Sequence, residues 1–246
     1  MDKNNSLTGK VALVTGASKG IGKALSIGFA AAGAAVCCAA RSKELLDSTV
    51  AEILRNGGKA SAFTADVTHE PDVERILQKT IARFGKLDIA ILNAGGNFDE
   101  HTVEEGHSED WRRTVELNLF GTYYCAKAAI PYLRQNGTGK IIIIGSGLGH
   151  RGMARRSAYA CSKAGVWMLT RILSQELKQY PISVNELIPG PVETGALSET
   201  FREEVVNQQH EWLKAPDDVV QMALFLATQP DIGPSGQSFS LMRRDA

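Results

Sequence analysis

Seven short apolar runs punctuate the 246-residue chain, and a longer segment of mixed polarity separates each run from the next. The runs are Val11–Thr15, Ala35–Ala39, Ala60–Thr64, Leu87–Leu92, Lys140–Ile144, Ser183–Ile188 and Ser238–Leu241, and all have the length of strands. Between them, Ile21–Ala32, Lys43–Asn56, Pro71–Phe84, Glu109–Arg134, Ser157–Gln179 and Asp217–Thr228 have helical periodicity. Such alternation constrains the chain more than any other feature, because parallel strands need crossover connections and those crossovers are right-handed. The expected architecture is α/β: a doubly wound sheet of about seven parallel strands with helices on both faces. No repeat, low-complexity tract or Pro/Gly-rich linker interrupts the pattern, so residues 1–246 are read as a single domain. A polar leader at Asn4–Thr8 and a small polar lid insertion at about 194–214 complete the expectation.

Composition narrows the possible partners. With 43% apolar and 22% charged residues the chain can bury a large core, which excludes a mostly disordered or collagen-like protein. Lys and Arg total 27 and Asp and Glu total 27, so no basic footprint points to nucleic acid or anionic lipid. Cys37, Cys38, Cys125 and Cys161 form no CxxC pair and no zinc-like spacing with histidine, and no signal peptide precedes them; reduced cytoplasmic thiols and no metal are expected. The uncharged stretch Ala24–Ala40 just reaches the length of a membrane span, but it is alanine-rich and interrupted by Ser26, Gly28 and Gly33, so helix, turn and strand are expected there. His69, His101, His107, His150 and His210 lack ligand spacing, and Gly145-Ser146-Gly147 lacks the full GxSxG pattern of a hydrolase elbow.

The first strand leads into Thr15-Gly16-Ala17-Ser18-Lys19-Gly20-Ile21-Gly22 and then directly into a helix. A glycine-rich turn in this position lets a pyrophosphate approach the backbone, where unpaired amides and the positive helix end attract anions. The spacing is GxxxGxG, not the commoner GxGxxG.

Further motifs follow in order: Asp66-Val67 after the third strand, Asn93-Ala94-Gly95 after the fourth and Asn118 within the helical segment Glu109–Arg134. Ser146 follows the fifth strand, Tyr159-x-x-x-Lys163 lies in the next helix, and Pro189-Gly190-x-Val192-x-Thr194 follows the sixth strand. With the TGxxxGIG turn, these residues make the chain resemble the short-chain dehydrogenase/reductase family over nearly its whole length, with 3-oxoacyl-carrier-protein reductases and sugar or polyol dehydrogenases the nearest general types. The resemblance implies a Rossmann-type fold and a nicotinamide cofactor held by Gly16, Ser18, Lys19, Gly20, Ile21 and Gly22. It further implies that Asp66 and Val67 contact the adenine, that Asn93, Ala94 and Gly95 line the cleft, and that Val192 and Thr194, after Pro189 and Gly190, meet the nicotinamide amide. Two local readings stay open beside it: Asp66 as a cap of the following turn, and Asn93-Ala94-Gly95 as a brace of the central sheet.

The choice between NAD and NADP falls at the end of the second strand, where a carboxylate would accept hydrogen bonds from a free ribose diol. Here the position is Ala40, followed by Arg41 and Ser42, with Lys19 in the phosphate turn. Two cations and a hydroxyl suit a 2′-phosphate, so NADP(H) is expected over NAD(H).

Tyr159 and Lys163, four residues apart, share a helix face, and Ser146 sits at a strand end on the edge where such sheets bind ligands. This trio suffices for carbonyl reduction: as hydride reaches carbon, a positioned acid must protonate oxygen. Using a tyrosinate near neutrality requires a pKa fall of roughly 3 units, or about 4 kcal/mol. One ammonium about 5 Å away supplies roughly 3 kcal/mol at an effective dielectric constant of about 20, and oxidised nicotinamide adds more. Ser146 would stabilise the oxyanion. By resemblance, Lys163 also holds the nicotinamide ribose and Asn118 holds a water that links Lys163 to solvent. The runner-up readings are a catalytically silent nucleotide-binding regulator or scaffold, and an enzyme that uses the same cleft for epimerisation or elimination. Arg151, Arg155 and Arg156 crowd the segment before Tyr159, where they could attract an acidic or acyl-carrier substrate, remain solvated or join subunits. The helices from Glu109 and Ser157 are apolar around more than one face, which implies a homo-oligomer, a tetramer or a dimer. The tail Ser240–Ala246 departs from the Val-Asp-Gly-Gly ending of many relatives, which leaves oligomer geometry and substrate class open.

Overall fold

The computed structural model describes residues 6–195, 202 and 212–242. Its strands, β1 (Val11–Thr15), β2 (Ala35–Ala40), β3 (Lys59–Thr64), β4 (Ile89–Leu92), β5 (Gly139–Ile144), β6 (Ile182–Ile188) and β7 (Ser238–Ser240), form one parallel sheet in the order β3-β2-β1-β4-β5-β6-β7. Helices cover both faces, so the central strands are buried on both sides and read as unbroken apolar runs. Ala12 and Val14 of β1 join the core beneath α1 (Gly20–Ala31), α2 (Lys43–Arg55) and α7 (Val220–Thr228). Leu13 faces the opposite core, beneath α3 (Glu70–Phe84), α5 (Gly121–Gln135) and α6 (Ser157–Glu176). This is the period-two alternation that a strand imposes.

Local chemistry sets the element ends. The α3 helix has acidic Glu70 and Asp72 in its first turn with Pro71 between them, and it stops at Gly85, whose φ of 83° is left-handed. Within α1, a Cβ on Gly28 would lie 2.3 Å from Val220 Cγ1, so the glycine lets α7 pack directly against α1. The stretch Ala24–Ala40 is indeed helix, turn and strand, and among the described residues no helix is long and apolar enough to cross a membrane.

Three expectations change in detail. The fourth strand begins at Ile89, because Asp88 turns its carboxylate to accept the Val11 amide at 2.8 Å. Within the expected polar leader, Leu7 is buried and its N–H donates to the Ala32 carbonyl at 2.8 Å, so Ser6–Thr8 includes an apolar pin against the core. The single helix expected from Glu109 to Arg134 is three pieces: α4 (Ser108–Val115), a π-helical segment (Glu116–Phe120) and α5. The wider turn inserts a residue and aims Asn118 inward, which a search for 3.6-residue periodicity does not register. The expected lid at about 194–214 falls largely outside the described residues. At its two ends, Lys214 pairs with the Pro191–Glu193 backbone.

Candidate active site

At the carboxyl edge of the sheet, β1 and β4 are neighbours whose connections leave in opposite directions, and a cleft of about 530 Å³ opens between the diverging loops. Its floor is a polar latch. Thr15 Oγ1 accepts the amides of Asn93 (3.0 Å) and Ala94 (3.1 Å), and the Asn93 side chain donates back to the Thr15 carbonyl at 2.8 Å. Asn93 therefore braces the sheet while lining the cleft, which combines both readings of its motif.

The phosphate turn leaves no room for side chains. Gly16 and Gly20 have positive φ, 68° and 55°. A Cβ on Gly16 would lie 2.8 Å from Asn93 Nδ2, and one on Gly22 would lie 2.2 Å from the Gly16 carbonyl oxygen. No side chain caps the start of α1, so its first amides point into the cleft mouth as an anion cradle. Arg41 and Ser42 follow β2 on the same rim, and the Arg41 guanidinium stands 3.9 Å from the Asp66 carboxylate. Asp66 also accepts the Thr68 amide and hydroxyl, the turn-capping arrangement.

Every residue predicted for the site except Asn118 lines this one cleft. Asn118 stands behind it, fully buried, with Nδ2 donating to the Gly96 carbonyl (2.8 Å) and the Ser162 hydroxyl (3.1 Å) and Oδ1 accepting the Gly96 amide (3.0 Å). Its carbonyl accepts the Thr122 hydroxyl at 2.6 Å. These bonds tie the loop after β4 to α6, and a water on the side-chain amide would have to compete with them.

On the far wall Tyr159 and Lys163 rise from the first turns of α6, and Ser146, two residues past the end of β5, caps the turn that faces them. The Lys163 ammonium donates to the Ile144 carbonyl at 2.8 Å and lies 5.7 Å from the centre of the Tyr159 ring. Burial pulls the Lys163 pKa down to about 8, opposed by the Glu186 carboxylate. Burial pushes the Tyr159 phenol up, and the Ser146 hydrogen bond and then the Arg156 charge pull it back. The sequence-based expectation of a phenol depressed by Lys163 thus changes: burial prevails in the free chain, and Arg156 is the cation that acts on the phenol.

A match to the family described as short chain dehydrogenase covers residues 10–205. The chain belongs to the short-chain dehydrogenase/reductase family. It is 35% identical over 239 residues to a 3-oxoacyl-[acyl-carrier-protein] reductase of Synechocystis, covering 96% of each chain. Among solved structures, levodione reductase superposes with a TM-score of 0.91 at 25% identity, covering 96% of this chain and 97% of the other. A single-residue variant of actinorhodin polyketide ketoreductase, crystallised with NADPH, superposes at 0.86 with 29% identity, covering 94% and 95%. The protein is a NAD(P)-dependent short-chain dehydrogenase/reductase, and its sheet is the Rossmann-type fold of that family.

Among the other lining residues, Leu148, Met242 and Glu100 had no role in the sequence reading, and Arg151 had only an open one. Leu148 and Met242 form an apolar wall beside Ser146, with Glu100 and Arg151 at the mouth. Of the arginine trio, Arg155 Nε donates to the Glu100 carbonyl at 3.2 Å and Arg156 pairs with the Glu100 carboxylate; Arg151 and Arg155 are exposed and Arg156 is buried, and Arg151 and Arg156 line the cleft. A visible signal did exist for Met242. Gly147 has no side chain, and a Cβ there would lie 2.3 Å from Met242 Sδ.

Gly22→Ala is expected to force the phosphate turn apart, destabilising the protein by roughly 1–3 kcal/mol and weakening nicotinamide-nucleotide binding at least tenfold. Thermal unfolding and a fluorescence titration with NADPH check both parts.

Proposed function

We propose that the protein interconverts a ketone and a secondary alcohol with NADP(H), using Tyr159 as the acid and base. One observation carries this reading: Ser146, Tyr159 and Lys163 meet on one wall of the cleft whose other end is the anion cradle of α1. The cofactor fits, since the glycines that a Cβ would block lie where the pyrophosphate needs close backbone approach. When bound, it supplies or accepts a hydride at the substrate carbon. Residues Gly16 to Gly22 would hold the pyrophosphate, Asp66 and Val67 the adenine, and Asn93 to Gly95 the cleft side. Lys163 would hold the ribose, and Pro189, Gly190, Val192 and Thr194 the nicotinamide end.

The chain's own residues then handle the proton. A phenol raised by burial is neutral at physiological pH, so Tyr159 is poised to donate to an oxygen on which negative charge develops. Ser146, already bonded to that phenol, stabilises the same oxygen. The Lys163 ammonium favours the resulting phenolate, a contribution present below a pH of about 8 and lost above it. Met242 and Leu148 supply apolar contact and Arg151 a cation at the mouth, which supports a 3-oxoacyl thioester over a sugar or polyol; the latter would need several polar partners. In this reading residues 1–246 work as one nucleotide-binding domain, in the cytoplasm, where the unpaired Cys37, Cys38 and Cys125 would stay reduced.

Nicotinamide absorbance with a panel of oxoacyl thioesters, ketoses, diketones and steroids tests the activity. Tyr159→Phe is expected to lower kcat at least a hundredfold while leaving NADPH affinity within about twofold; substantial turnover in that variant, or none in the native protein, refutes the reading.

Ala40 at the end of β2, with Arg41 and Ser42 on the rim, supports NADP(H) over NAD(H). Arg41→Ala should raise the KM for NADPH about tenfold and leave that for NADH nearly unchanged. Equal or better kcat/KM with NADH in the native protein overturns the assignment.

Trp111, Phe120 and Tyr123 on the helices from Ser108, and Met168 and Ile172 on α6, are large apolar side chains on the surface of the lone chain. They support association of copies through these two faces. Light scattering at micromolar concentration should return a dimer or tetramer mass, and a monomer mass excludes it.

A further inference from the structure

A carboxylate outside the predicted site lies directly beneath its proton-handling wall. Glu186, in the middle of β6, is completely buried. Its Oε2 accepts from His150 Nε2 at 2.9 Å and from the Ser238 hydroxyl at 2.6 Å, while Oε1 has no hydrogen-bond partner. An acid in such a position is costly unless something uses its charge. The fold makes room for it deliberately: a Cβ on Gly145 would lie 1.9 Å from Oε1, so any larger residue before Ser146 would evict the carboxylate. Gly145 is bonded to Ile144, whose carbonyl receives the Lys163 ammonium. On the other side, a Cβ on Gly149 would lie 2.7 Å from the Lys163 backbone, which seats the turn carrying His150 against the same stretch of α6. His150 in turn packs on Trp167, one turn further along that helix.

We propose that Glu186, oriented by His150 and Ser238, is a positioning residue that keeps Lys163 in its ammonium form within the dry wall of the cleft. The inference rests on the acid–base role given above to Lys163. Among the described residues, the charged and titratable groups that act on the lysine or its neighbour are Glu186 from β6, Tyr159 one turn earlier on α6, and Arg156, which acts on that tyrosine. From the π-helical segment Asn118 brings only a neutral amide; a Cβ on Gly95 would lie 2.7 Å from its Oδ1 and 3.6 Å from Lys163 Nζ. Around Glu186 stand Lys163 from α6, His150 from the turn after β5 and the hydroxyl of Ser238 from β7. Glu186 is thus the anion that opposes the desolvation of Lys163, and its influence on the phenol is exerted through the lysine.

The test reads the lysine itself. In protein labelled with 13C at lysine Cε, with the Lys163 resonance identified by its loss in Lys163→Met, the native ammonium should titrate near a pH of about 8. Glu186→Gln keeps the shape and removes the charge, and should lower that midpoint by about one pH unit. Glu186→Met, which also removes the polar group, should do the same, and Glu186→Asp should restore most of the native value. The alkaline limb of kcat/KM should move with the lysine and the acid limb should stay. In the native protein, the Glu186 carboxyl carbon should register the Lys163 inflection and lose it in Lys163→Met, a measurement that needs no Glu186 variant to fold. A native midpoint in Glu186→Gln and Glu186→Met, or a carboxyl carbon that ignores the lysine, overturns the proposal. Absence of turnover in the native enzyme would refute the functional reading and leave the titration to decide this one.

Discussion

Where β1 and β4 part, buried strand ends must find partners without closing the space between them, and a single hydroxyl resolves the conflict. Thr15 Oγ1 accepts two amides from the segment after β4, and Asn93 returns a bond to the end of β1. With these backbone groups satisfied inside the protein, the loops above are free to diverge. The glycine-rich turn and the wall of Ser146, Tyr159 and Lys163 then stand on one sheet, at a separation that the strand spacing sets. Gly16 and Gly22 belong to this same constraint, since their missing side chains let Asn93 and the Gly16 carbonyl occupy the space beneath the turn.

Burial drives the two titratable groups of that wall towards opposite ends of the scale with a common result. It raises the tyrosine and lowers the lysine, so in each case the uncharged form gains. For the proposed reaction a neutral phenol is a ready acid, whereas a neutral amine could no longer stabilise the phenolate left behind. The site therefore needs an input that favours charge on the lysine without depressing the phenol in advance. A carboxylate beneath the lysine meets that need better than a second cation beside the tyrosine would, because it acts on the correct partner of the pair.

The architecture was readable because a strand buried on both faces and an amphipathic crossover helix leave different periods, as in Val11–Thr15 and Pro71–Phe84. That the motif residues other than Asn118 would share one cleft was readable for a related reason: ligands bind such sheets at strand ends, and those motifs follow strands or open helices. What escaped depends on contacts distant in sequence. Arg156 and Glu100 are paired across 56 positions, and nothing local marks either as the other's partner. The π-helical turn at Asn118 preserves the apolar pattern on both sides of it, so periodicity passes through unbroken. Leu7 looked like part of a polar leader because one apolar residue has no period at all.

The two glycines flanking Ser146 show how local composition and distant structure determine one another. Each is small because a side chain from the last third of the chain occupies the adjacent space: Glu186 beside Gly145, Met242 beside Gly147. The tail reaches that point because the Leu241 amide bonds the Ile188 carbonyl, extending the edge of β7 towards the cleft, and the Met242 amide bonds the Ser240 hydroxyl. A larger residue at 147 would clash with the methionine, and a glycine-rich tail with this Gly147 would leave the substrate wall open. The serine turn and the last described residues of the chain thus shape the cleft together, through a contact that the motifs shared across the family do not contain.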